Sequence, residues 1–261
     1  MSINTYLSNL ASDLILSDQE NENIRVSINT LETRLNSWFE TDIIEKFKFG
    51  SYTRNTILPR KVDDSSDIDY MVVFNNYDNC TPQTYLNRLK KFVENYYSTS
   101  EIHQSSPTIV LKLNHIKFEL VPAYKGWTSY YIPDGNGSWM LTNPNDFNSK
   151  LTKANNNNSY KIKPLVRLIK YWNINSNYRY FSSYKMEEKI ANSYEFGSYF
   201  LNSYTDYVKS IFNLLKDMTY NPDVINRINR ALDRINKSIE LENAGKPYSA
   251  LEEIKKVFPE V

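Results

Sequence analysis

Two aspartates open the run Asp67-Ile68-Asp69-Tyr70-Met71-Val72-Val73-Phe74. From Ile68 to Phe74 the run is short, β-branched and apolar, and it reads as a buried strand. On a strand, side chains at i and i+2 share a face, so both carboxylates point the same way. Like charges that close repel unless a cation lies between them, and paired carboxylate oxygens suit Mg²⁺ or Mn²⁺. Taken alone, Asp-x-Asp also describes many strand starts where two aspartates simply face water. Three features argue for chemistry here. An unpaired carboxylate on a buried strand is costly. Upstream, Phe47-Lys48-Phe49 leads into Gly50-Ser51. A glycine there lets the backbone approach a phosphate, and Ser51 adds a hydroxyl and an amide donor; a Gly-Ser pair by itself is usually just a turn. Downstream, Phe118-Glu119-Leu120-Val121-Pro122 sets a third carboxylate between large apolar residues of a predicted strand. Lys117, its nearest sequence neighbour of opposite charge, is expected on the other face.

Composition limits the alternatives. Cys80 is the single cysteine, and His103 and His115 are the two histidines. Internal disulfides and the usual structural zinc sites are therefore excluded, and any metal is expected on oxygen ligands. Lys plus Arg total 31 and Asp plus Glu total 30, a net charge of +1. That balance argues against a protein whose main task is holding long nucleic acid, since such affinity comes from an excess of cations facing phosphates. A hydrophobic fraction of 41%, rich in aromatics, is enough for a real core. No stretch reaches the roughly 18 apolar residues of a membrane helix, and the start carries no basic-then-apolar leader. A cytoplasmic protein without membrane association is expected.

These residues need elements to position them. Ile24, Ile28, Leu31, Leu35 and Phe39 follow the 3–4 spacing of an amphipathic helix. Tyr85, Leu89, Phe92 and Tyr96 predict another over Thr84 to Tyr97. Strands are expected over Thr108 to Leu113 and Ile116 to Val121, joined at Asn114-His115, with loops at Arg60 to Ser65 and Asp134 to Gly137. The low-complexity run Asn155 to Asn158 is taken as the divide, giving domains 1–158 and 159–261. Every segment after it reads as helix. Ile162, Leu165, Val166, Ile169 and Trp172 form one apolar face, with Lys163, Arg167 and Lys170 on the other side. Asn221-Pro222 opens a helix carrying Ile225, Ile228, Leu232, Ile235 and Ile239, and Ser249 to Glu252 has capping-box spacing before the last one. The fold class is α+β: a mixed sheet with flanking helices, then an all-helical half expected to meet it across a cleft.

The order Gly-Ser, Asp-x-Asp, then a later strand carboxylate resembles the DNA polymerase β-like nucleotidyltransferases. More narrowly, Phe49 to Thr56, Ser66 to Phe74 and Phe118 to Ala123 resemble the cGAS/DncV-like nucleotidyltransferases of bacterial antiphage signalling. The resemblance implies a polymerase β-like core and a C-terminal helical domain of the oligoadenylate synthetase type. It implies that Gly50 and Ser51 hold a triphosphate and that Asp67, Asp69 and Glu119 hold two divalent ions, Mg²⁺ or alternatively Mn²⁺. Leu165 to Trp172 resembles the helix that brings a lysine to the triphosphate, which makes Lys170 the candidate. Ser182-Ser183-Tyr184 resembles the segment whose serine meets phosphate and whose tyrosine stacks on the base, so Ser183 and Tyr184 join the nucleotide-binding set. Without the resemblance, Lys170 is as well explained by a solvated helix charge and Tyr184 by core packing. Two features depart from the pattern. The interval from Ser51 to Asp67 is long, and the third carboxylate is Glu rather than the Asp of the animal relatives.

The implied reaction is synthesis of a cyclic di- or trinucleotide from ATP, with GTP, UTP or CTP as further candidates. A monomer that needs no long nucleic acid, and a separate effector protein that senses the product, complete the expectation. A transferase that modifies tRNA or protein, as toxin–antitoxin relatives do, is the alternative enzyme. A catalytically silent nucleotide-binding module is the non-enzymatic one.

Overall fold

In a computed structural model, which describes residues 1–76 and 79–261 apart from the Asn145 side chain, the helices and strands run in this order: α1 (Ile3–Asp13), α2 (Asp18–Phe39), β1 (Ile43–Phe49), α3 (Gly50–Thr53), β2 (Asp67–Phe74), α4 (Pro82–Tyr96), β3 (Glu101–Ser105), β4 (Thr108–Lys112), β5 (Lys117–Lys125), β6 (Tyr130–Pro133), β7 (Trp139–Thr142), α5 (Pro144–Asn157), α6 (Ile162–Asn175), α7 (Ser183–Tyr194), α8 (Tyr204–Lys216), α9 (Pro222–Asn243) and α10 (Pro247–Lys255). They form two compact units. One comprises residues 16–60 and 64–148; the other comprises 1–15, 61–63 and 149–261.

The first unit is built on a mixed sheet ordered β1-β2-β5-β4-β3, with β6 added to β5 and β7 to β6. β2 runs parallel to β5 and antiparallel to β1. A parallel pair cannot be closed by a tight turn; here α4, β3 and β4 lie between its two strands in sequence. Alternation on β2 decides what each face does. Ile68, Tyr70, Val72 and Phe74 enter the main core with Ile28, Leu31, Leu35 and Phe39 of α2 and Tyr85, Leu89 and Phe92 of α4. Phe74 stacks on Tyr85 with ring centroids 4.7 Å apart. On the other face, Met71 and Val73 join Val121, Ala123 and Ile132 in a smaller cluster edged by Phe47, Phe49 and Tyr130. Asp67 and Asp69 begin that second face. The helix expected from Ile24 to Phe39 starts earlier, at Asp18, because Ser17 and Glu20 make a capping box.

The second unit is all helical. α1 packs with α6, α8, α9 and α10, and the Tyr6 hydroxyl donates to the Phe258 carbonyl at 2.5 Å. The unit therefore takes in the N-terminal helix that the 158/159 division assigns to the sheet half, and its long segment begins at Ser149, within α5. The asparagine run is not a linker. Asn158 is buried, donates to the carbonyls of Ala154 and Tyr194, and accepts from the Tyr207 hydroxyl. Side-chain amides can satisfy backbone and hydroxyl groups at a helix end, so this polar run seals a core. Nor do Arg167 and Lys170 line a solvated face: both are buried, and Arg167 Nε donates to the Ala11 carbonyl at 3.1 Å. Ser249 lies inside α10, which starts at Pro247 without a side-chain cap; proline's fixed φ suits that first turn. Among the described residues, no helix is long and apolar enough to cross a membrane.

Candidate active site

The parallel pairing of β2 and β5 brings the expected carboxylates together. Asp69 stands opposite Glu119, and Asp67 opposite Lys117. Partners opposite one another in a ladder share a face, so the two strands present Asp67, Asp69 and Glu119 on one surface. The Asp67 and Glu119 side chains keep 28% and 27% of their exposure, enough to meet a ligand and too little for full hydration. Burial, then Asp67, then Glu119 push the Asp69 carboxyl up to about 8, against the opposing pull of Arg54 and Lys117. Burial and Glu119 likewise raise Asp67, although Lys117 works against them. Carboxyls raised by desolvation and by one another mark a cluster that gains from a cation.

Lys117 is that cation in the structure. Its ammonium lies 3.0 Å from Asp67 Oδ2 and 3.0 Å from Glu119 Oε1. Burial alone lowers an ammonium's pKa, yet Asp67 and Glu119 outweigh it and hold Lys117 above its ordinary value. The expectation that Lys117 faces away is therefore corrected. Residues 117 and 119 are two apart on one strand, and a period of two sets them on the same side.

Gly50 explains how Asp69 fits. It is buried at φ +74°, and a Cβ built on it would stand 1.7 Å from Asp69 Oδ2. Only glycine allows both the left-handed backbone and the contact. Gly50 opens the single turn α3, where Thr53 Oγ1 donates to the Gly50 carbonyl at 2.9 Å. Asn148 Nδ2 in turn donates to Thr53 Oγ1 at 3.2 Å. The Ser51 carbonyl accepts the amides of Thr56 and Ile57, which ties the turn to the segment beyond it. Arg54, at the end of the turn, is buried with its guanidinium 4.9 Å from the Phe147 ring. Arg54 and Asn148 are supports: Arg54 lies within the Phe49 to Thr56 stretch without being singled out there, and Asn148 lies in no motif.

The remaining expected residues lie in the helical unit. Lys170 is buried on α6 with Nζ 3.3 Å from Glu187 Oε1, a fully buried carboxylate of α7. Ser183 is the first residue of α7, after the N-cap Ser182. Tyr184 is half exposed and its hydroxyl donates to Glu188 at 3.3 Å.

The donor set fits a hard divalent cation. It is all oxygen, it sits on two adjacent rigid strands, and its carboxyls repel one another and accept an ammonium between them. Among the described residues no three His, Cys, Asp or Glu side chains stand where they could hold a metal ion as they are placed; Lys117 is instead bonded to Asp67 and Glu119.

A mixed sheet with paired strand carboxylates beside a Gly-Ser turn is the arrangement that the resemblance to polymerase β-like nucleotidyltransferases implies. Residues 1–155 match the SMODS family, the Second Messenger Oligonucleotide or Dinucleotide Synthetase domain. The chain belongs to this family and is a cGAS/DncV-like nucleotidyltransferase. A probable cyclic nucleotide synthase of Bacillus cereus is 28% identical over 269 residues, spanning 80% of this chain and 80% of its own. A cyclic AMP-AMP-AMP synthase of Acinetobacter is 29% identical over 153 residues, 55% of this chain and 44% of its own. Among solved structures, Vibrio cholerae DncV cyclic AMP-GMP synthase in complex with nonhydrolyzable GTP superposes with a TM-score of 0.78 at 11% identity, over 95% of this chain and 92% of that one. The α+β fold expected from sequence is the one this structure shares.

Proposed function

We propose that this enzyme joins nucleoside triphosphates into a cyclic di- or trinucleotide second messenger. A ribose hydroxyl of one nucleotide attacks the α-phosphorus of another, a phosphodiester forms, and pyrophosphate leaves. The observation that carries this reading is the register that sets Asp69 beside Glu119 and packs Asp69 on Gly50. The descriptions of the family and of the Bacillus and Acinetobacter relatives support it.

In this reading the Gly50-Ser51 turn receives the triphosphate, and Lys170, Ser183 and Tyr184 complete nucleotide binding. Asp67, Asp69 and Glu119 hold divalent ions, with Mg²⁺ the natural choice for carboxylate oxygens. When bound, such ions neutralise the triphosphate and lower the pKa of an attacking hydroxyl. Most of what the chain itself contributes is then position. Asp67 and Asp69 are fixed by a buried strand, Asp69 is further fixed by Gly50, and Glu119 joins them from the neighbouring strand. A second messenger needs a reader, so a separate effector protein is the partner, and antiphage signalling is the setting that the family resemblance favours.

The test is direct. The protein is incubated with radiolabelled ATP, GTP, UTP and CTP and Mg²⁺, treated with phosphatase, and resolved by thin-layer chromatography. A small phosphatase-resistant product is expected. Label found only on added RNA or protein would replace the cyclase by a transferase acting on macromolecules.

A further inference from the structure

Lys117 has no part in the reaction described so far, yet its ammonium contacts two of the three carboxylates. It stands 3.0 Å from Asp67 Oδ2 and 3.0 Å from Glu119 Oε1, with its side chain 22% exposed. Its strand position explains the contact. Lys117 pairs with Asp67 across the ladder and sits two residues before Glu119 on its own strand, so both carboxylates lie within reach on its face. A lysine ammonium is a compact point charge on a flexible stem. It can bind these oxygens and also swing away from them towards solvent.

A divalent ion drawn to Asp67 and Glu119 meets a positive charge already bonded to the same groups. Each of those two oxygens can serve the ammonium or the ion. We propose that Lys117 is an internal counter-ion of the carboxylate cluster: it competes with the divalent ion for Asp67 and Glu119 and weakens ion binding to the nucleotide-free protein. The consequence is an order of events. The ammonium offsets carboxylate repulsion before substrate arrives, and the ion enters most readily with a triphosphate that contributes negative charge of its own. This deepens the proposed function and rests on Asp67, Asp69 and Glu119 being the ion's ligands.

The experiment measures ion binding, with no turnover involved. The full-length protein is stripped with chelator and titrated with Mn²⁺ in the absence of nucleotide, and free Mn²⁺ is read by electron paramagnetic resonance. Lys117→Met removes the charge and keeps the stem; Lys117→Gln makes the same comparison should the Met variant not fold; Lys117→Arg keeps the charge. The uncharged variants are expected to bind Mn²⁺ about tenfold more tightly than wild type, a shift set by lost charge repulsion. Lys117→Arg is expected to stay within about threefold of wild type, since it preserves the charge. Asp69→Asn is expected to bind more weakly than all of them. Equal or weaker binding by the uncharged variants, with Asp69→Asn still impaired, overturns the counter-ion role and leaves the proposed function standing. Binding that is unchanged in Asp69→Asn overturns the assignment of the ion site itself, and the counter-ion role with it.

Discussion

At the scale of single residues, the site rests on contacts that tolerate little change. Asp69 lies against the Cα of Gly50, and the missing Cβ is what makes room for it. Gly50→Ala is expected to push Asp69 off its strand position and to strain a backbone at φ +74°. A displacement of about 1 Å at a reacting centre costs on the order of a hundredfold in rate, so steady-state turnover should fall by about that factor or more. A variant with wild-type turnover would show that the close approach of Gly50 to Asp69 has no part in catalysis. The Asp67, Asp69 and Glu119 set, grouped on one face, is legible in sequence because Asp67 opens an apolar strand and Asp69 and Glu119 interrupt apolar ones. The partner of that set, Lys117, is misassigned when only its nearness to Glu119 is considered; the two-residue period puts them on one face. The supporting roles of Arg54 and Asn148 are hidden for a different reason: they act through the Phe147 ring and a shared hydroxyl that only the folded chain brings together.

Among the elements, those that bury one full face are the legible ones. α2, α4, β2 and β5 carry strong apolar spacing and form where the pattern places them, although α2 starts earlier, at Asp18, and β5 runs on to Lys125. β3 is exposed over most of its length and β7 is only partly buried, so neither leaves a strong alternation. The asparagine run reads as a divide because composition cannot show that Asn158 bonds to Ala154, Tyr194 and Tyr207. In the helical unit, α9 and α10 are joined through Glu253, which accepts from Lys256 at 2.8 Å, Arg234 at 3.0 Å and Lys237 at 3.2 Å. The bond from Lys256 and then that from Lys237 outweigh burial and hold its carboxyl down at about 2. A depressed carboxyl contributes stability above its unfolded value and loses it as the pH falls through the folded one. Glu253→Gln should therefore be less stable than wild type in urea denaturation at about pH 7, by about 1 kcal/mol or less because solvent screens the three cations. The two proteins should converge as the pH approaches about 2, where the native carboxyl protonates. A difference that stays constant across this range would mean that packing, rather than charge, holds the two helices.

For the whole molecule, a net charge of +1 conceals local imbalance. The sheet unit carries a partly buried cluster of three carboxylates with one ammonium, while Arg167 and Lys170 of the helical unit are buried cations. Near-neutral charge with concentrated local fields suits small charged substrates better than a long polyanion. The basic helix face read from sequence is instead internal, because Arg167 and Lys170 find partners in α1 and α7. Asp67, Asp69 and Glu119 are the proposed reacting centre for nucleotide joining. This assignment is tested most directly by pyrophosphate release from NTPs with Mg²⁺, measured together with nucleotide binding, in wild type and Glu119→Ala. Wild type should release pyrophosphate steadily, and Glu119→Ala should keep nucleotide binding with release reduced about a thousandfold, as when an electrostatic group is removed at a reacting centre. Wild-type-like release in Glu119→Ala would contradict the assignment.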